Sequence, residues 1–136
     1  MTISNYYGND VLDYLFGQTA MTSPTGLYMA VSATAFAETP PHTNEPSAEY
    51  GYARVAIPNT KSYWSTASSQ SLHNTQTIEF TTATNDWGTM AYFAIMDTGT
   101  YGSGYPLITG ALNPTRTIYN GDSLKWSSGN LTINVQ

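Results

Sequence analysis

The sequence predicts a mainly β protein, an antiparallel β-sandwich or partly closed barrel with one N-terminal helix. Short segments of alternating apolar residues recur between turn-forming clusters, enough for roughly seven to nine strands at regular spacing. One of them, Trp87 to Asp97, is apolar on both faces. Helical spacing of apolar residues is convincing only once, near the N-terminus.

The Trp87–Asp97 stretch is the element around which the rest is organised. In strand geometry Met90, Tyr92, Ala94 and Met96 share one face, and Ala91, Phe93 and Ile95 share the other. A strand with two apolar faces must be covered on each side, so it belongs in the middle of the protein. Asn85-Asp86 before it and Thr98-Gly99 after it are turn formers, and Gly88, Thr89 and the aromatic residues favour strand over buried helix.

Taken in order, residues 4 to 16 form the helix, with Tyr7, Val11, Tyr14 and Leu15 in a stripe that Leu12 and Phe16 widen. Ser4 or Asn5 caps its start and Gly17 ends it. A helix this short is marginal alone, so residues 1–17 are expected to dock on the domain formed by 18–136 or on a neighbouring subunit. Gly26 to Ser32 alternates as a strand, with Leu27, Met29 and Val31 on one face. Glu38 to Pro46 holds Pro40, Pro41 and Pro46 and reads as a long surface loop of the kind that carries contacts. Tyr50 to Ile57 is a strand, with Tyr50, Tyr52, Arg54 and Ala56 opposite Ala53, Val55 and Ile57. Residues 60–75 are a loop or irregular edge strand anchored by Tyr63-Trp64.

Thr77 to Phe80 turns Ile78 and Phe80 inward and leads to the central strand. Beyond that strand comes a flexible Gly/Tyr loop, residues 99–106, followed by a strand over 106–112 and a turn at Asn113-Pro114. Asn120-Gly121-Asp122 is a hairpin signal, with Leu124 and Trp126 on the return strand. Leu131, Ile133 and Val135 form the closing strand.

Composition bounds the function. With no cysteine there are no disulfides, thiolate metal sites or cysteine nucleophiles. Charged residues make up 10% of the chain, against roughly 25% in an ordinary soluble domain. Eleven tyrosines help to fill their place, and a neutral, Tyr-rich surface suits contacts between proteins. Arg54, Lys61, Arg116 and Lys125 are the only cations in a chain of net charge −5, too few for a phosphate-tracking groove, so no nucleic-acid partner is expected. No apolar run is long enough to span a membrane, and no secretory signal is expected.

His42 and His73 lie in polar stretches with no nucleophile motif or spaced acids beside them, so neither catalysis, a metal nor a cofactor is expected. Asp97 reads as a turn-initiating residue. Arg54, inside a strand among tyrosines, is either held within the domain, stacked on a tyrosine or paired with a carboxylate of the edge loop, or an anchor in a subunit interface. The interface candidates are therefore Tyr52, Arg54, Pro40, Pro41, Tyr101 and Tyr105.

Gly26-Leu27-Tyr28-Met29-Ala30-Val31, Gly51-Tyr52-Ala53-Arg54-Val55-Ala56, Asp86-Trp87-Gly88-Thr89 and Asn120-Gly121-Asp122-Ser123-Leu124 follow one another in a telling order. That order resembles small structural proteins of tailed bacteriophages, a group labelled tail-fibre-like or capsid-associated. The resemblance implies a non-enzymatic component of the virion and carries over no catalytic residue. Because shaft repeats and heptads are missing, the role expected first is a capsid cement or decoration protein. Its partners would be the major capsid protein and itself, as a homotrimer. The alternative is a tail or head-fibre component that binds a host receptor, with a glycan as candidate ligand. A small hydrolase-like enzyme is disfavoured for want of a site.

Overall fold

The computed structural model describes residues 2–135. Among them are β1 (Thr2–Ile3), α1 (Asn5–Leu15), β2 (Leu27–Ser32), β3 (Val55–Ile57), β4 (Ser71–His73) and β5 (Ile78–Glu79). They are followed by β6 (Gly88–Met96), β7 (Pro106–Ile118), β8 (Lys125–Trp126) and β9 (Thr132–Asn134).

Five strands form one antiparallel sheet in the order β1-β7-β6-β2-β3, which puts β6 at its centre. Two ribbons, β4-β9 and β5-β8, make up the second layer. The edges β1 and β3 do not pair with each other, so the mainly β, sandwich-like arrangement stays open and no barrel is closed.

The main core lies between the layers. Leu27, Met29, Val31, Phe93 and Ile95 from the sheet meet Ile78, Phe80, Leu124, Leu131 and Ile133 from the ribbons. On the sheet's other face Ala30, Ala94 and Met96 form a smaller cluster under Tyr28 and Phe36. The central strand is thus covered on both sides, as its two apolar faces require. Met90 departs from simple alternation, packing with Phe93 and Ile95 rather than with Ala94 and Met96. A register shift between Met90 and Tyr92 separates it from the residues beyond.

That shift comes from β7, which runs from Arg116 to Ala111 while β6 advances only from Met90 to Tyr92. Asn113-Pro114 therefore does not turn the chain, as the sequence suggested, but bulges inside one long strand. Proline is tolerated because β1 pairs only as far as Ile108 and Thr109, leaving the outer side of β7 open at Pro114. The Asn120-Gly121-Asp122 turn forms, but the return strand β8 pairs with β5 rather than with β7. Hydrogen bonds from Gly121 N to Ala83 O and from Asn120 N to Asp86 Oδ1 tie the turn to the 83–86 segment and lead the chain into the second layer.

The strand expected over 50–57 is shorter, covering only Val55–Ile57. Ser47 caps a 3-10 turn at Ala48–Tyr50, and Gly51 closes it in the left-handed region at φ 81°. Residues 60–75 contribute β4, and an isolated bridge joins Trp64 to Asn74. Asn74 is fully buried; its side chain donates to the carbonyls of Gln76, Trp126 and Ser127 and accepts from Leu131 N, joining three segments of the second layer.

Candidate functional site

The two long loops meet at one end of the sheet around a buried ion pair. Arg54 Nε donates to Glu45 Oε1 at 2.8 Å and Nη2 to Oε2 at 3.3 Å, with both side chains fully enclosed. Both Nη1 donors are used as well, reaching Thr98 O at 2.9 Å and Ser103 O at 2.8 Å. Tyr52 donates its hydroxyl to Glu45 Oε1 and accepts from Val31 N. Gly102 N donates to Glu45 Oε2, and the Tyr101 hydroxyl donates to Glu45 O. His42 completes the clamp, with its backbone N on Gly102 O and Nε2 donating to Gly104 O at 2.9 Å.

A buried ion pair is tolerable only where such extra hydrogen bonds satisfy its remaining atoms. Here they lock the proline-rich loop to the Gly/Tyr loop. Burial, and after it the Glu45 carboxylate, pushes the Tyr52 hydroxyl pKa well above the ordinary tyrosine value. Tyr101 shifts the same way for the same two reasons, against the opposing charge of Arg54.

Helix α1 adjoins this clamp. Its N-cap Ser4 accepts from Tyr7 N, and Asn5 N donates to Glu38 Oε2 at 2.8 Å. Tyr6 stacks on Tyr105 with ring centroids 4.5 Å apart. Tyr7 donates to Asp97 Oδ2, while Asp97 Oδ1 accepts from Tyr105 N. Burial and the nearby Asp97 carboxylate raise the Tyr7 pKa. Asp97 thus ties the helix to the end of the central strand and to the Gly/Tyr loop.

Beyond Tyr7 the helix has little to rest on. It has no buried residue, and Leu12, Leu15 and Phe16 are 55%, 66% and 76% exposed. The apolar stripe read from the sequence exists, but its C-terminal part is left largely exposed by the described residues.

The sequence candidates divide between these parts. Tyr52 and Arg54 are turned inward, and of the two readings of Arg54 the structure has the ion pair with an edge-loop carboxylate. Pro40, Pro41 and Tyr101 are exposed on the clamped loops, and Tyr105 is half-buried under Tyr6. Sequence reasoning did not single out Glu45. Its signal was an acid in the proline-rich loop of a chain with few partners for an interior arginine.

A second feature had no sequence signal. A groove of about 540 Å³ opens between the five-stranded sheet and the ribbon β4-β9, floored by Leu27, Leu72, Ile95, Ile108 and Ile133, with Lys61 among its polar lining. Elsewhere His42 lines a small cavity of about 170 Å³ with Ser32, Thr34 and Asn44 but no carboxylate. His73 is exposed on β4. No cluster of three metal-binding side chains occurs among the described residues.

The domain is thus an open two-layer β arrangement with two loops pinned together and the end of an amphipathic helix exposed. A family model, described as the podophage GP4 fiber I protein gp80, matches residues 2–134. The chain belongs to that family, and so is a small fibre-like structural protein of a tailed phage and part of the virion. No curated protein matches the sequence.

Proposed function

We propose that the protein is a fibre component that works in several copies and is joined to its neighbours through α1. The observation that carries this reading is the bare stripe of Leu12, Leu15 and Phe16 on a domain whose own core is already closed. Exposed apolar surface gathered on one helix face marks an interaction site more often than chance. The clamp gives the adjoining end a fixed shape, so Pro40, Pro41 and Tyr101 are presented on rigid rather than drifting loops and are available to a neighbouring virion protein or a host receptor.

The family description supports a fibre. A cement protein bridging capsid subunits would use the same helix, and copy number separates the two placements. A fibre component is present in few copies per particle, whereas a cement approaches the number of coat subunits. Quantitative mass spectrometry of purified particles measures this.

The role of the helix is tested by the double variant Leu12→Asp/Leu15→Asp. Because both side chains are exposed, the variant is expected to melt like the wild type but to be missing from assembled particles. Normal incorporation would overturn the proposal.

A further inference from the structure

A helix stripe and a groove are both left open by the described residues, and they have complementary form and charge. The stripe is Leu12 and Leu15, spaced i and i+3 on the last turn of α1, with Phe16 following at its C-cap. This is the anchor pattern of a helix laid into an apolar groove. The groove between the sheet and the ribbon β4-β9 is floored by aliphatic side chains and, at about 540 Å³, has room for several anchors. α1 does not fill its own groove, because none of the groove's lining residues comes from the helix. The bonds of Asn5, Tyr6 and Tyr7 hold the helix instead to Glu38, Tyr105 and Asp97.

Charge favours the same pairing. The helix bears Asp13 beside the stripe, Asp10 on the opposite face and no basic residue. The groove bears Lys61, exposed and without a carboxylate among the salt bridges of the described residues, whereas Arg54 is sealed in the clamp. Opposite charges flanking an apolar contact fix its orientation more than its strength.

We infer that the α1 stripe of one copy docks in the groove of a second copy, with Lys61 of the groove facing Asp13 of the incoming helix. This deepens the reading of α1 as the joining element and rests on it. The contact is head-to-tail, since the donating and accepting surfaces differ. Such contacts close into a ring when the rotation between copies permits, and otherwise extend into a filament.

The test uses the full chain and two variants altered on exposed residues. Leu12→Asp/Leu15→Asp disables the helix. Lys61→Glu/Thr66→Trp reverses the charge at the groove and blocks its mouth. Light scattering after size exclusion reads the mass, and thermal melts confirm that both variants fold. The wild type is expected to be oligomeric and each variant alone monomeric. An equal mixture of the two variants should give a 1:1 dimer and nothing larger, because only one intact helix and one intact groove remain to meet. A second arm restores charge, with Asp13→Lys recovering at least tenfold in affinity when mixed with Lys61→Glu.

A monomeric wild type, an oligomer that survives in either variant, or a mixture that stays monomeric would each overturn the inference. These results are separable from the particle test. A helix needed for incorporation but not for self-association would leave the joining role standing with a different partner.

Discussion

Replacing Arg54 with methionine removes the centre of the clamp while filling most of its volume. Four hydrogen bonds are lost, two to Glu45 and one each to Thr98 O and Ser103 O. The carbonyls belong to a loop with exposed neighbours and can recruit water, so they contribute little to the cost. The carboxylate cannot, because the Glu45 side chain is fully enclosed and keeps only the Tyr52 hydroxyl and Gly102 N as donors. Leaving one member of a buried pair without its counter-charge costs about 3–5 kcal/mol. Urea melts should show that loss as a lower midpoint at nearly constant slope.

The double variant Arg54→Met/Glu45→Met carries no stranded charge and should recover a large part of the loss, giving a coupling energy of about 2 kcal/mol or more. A single variant within about 1 kcal/mol of wild type would refute the argument. So would a double variant whose cost is the sum of the two singles.

Gly110 lies against the ring of Phe93, and a Cβ there would sit 2.7 Å from Cε1 and 2.8 Å from Cζ, so Gly110→Ala should cost about 1–3 kcal/mol in denaturant melts. Phe93→Ala opens a cavity in the main core and should cost about 3–5 kcal/mol by the same measurement. Asn74→Ala strands Leu131 N and three carbonyls in the second layer and should cost about 3 kcal/mol, with hydrogen exchange rising first at β4 and β9. The pKa values of Tyr7 and Tyr52 are raised above 10.0, so the folded state holds protons that the unfolded chain gives up. Stability is therefore full below pH 10 and falls as pH rises above it, and Tyr52→Phe should flatten that alkaline decline in melts taken across pH 9 to 12.

Much of the fold was legible because local chemistry and burial agreed. Trp87–Asp97 is apolar on both faces, and only a central, doubly covered strand satisfies that. Ser4 and the tyrosines after it specify a helix start, and the helix runs from Asn5 to Leu15. The register of β7 was not legible. Asn113-Pro114 has the composition of a turn, and only the early end of β1 makes a bulged edge available to it. The Asn-Gly turn formed as read, yet where its return strand pairs depends on hydrogen bonds to the 83–86 segment, far away in sequence.

The candidate site divides in the same way. Burying a lone charge is costly, so an arginine inside a strand called for a partner, which the sequence left open between a tyrosine, an edge-loop carboxylate and a neighbouring subunit. Which acid supplies it, and that the pair would bind two loops some fifty residues apart, is set by how the sheet brings their ends together. The apolar stripe of α1 could likewise be read from spacing. Whether that stripe is covered is a property of the assembled surface, because periodicity records which side chains share a face and not what lies opposite them. The sequence therefore determined that this protein must have a buried central strand, a satisfied arginine and an amphipathic helix. Tertiary structure decided that the arginine is spent inside and the helix left outside, because each depends on contacts between residues the chain does not place side by side.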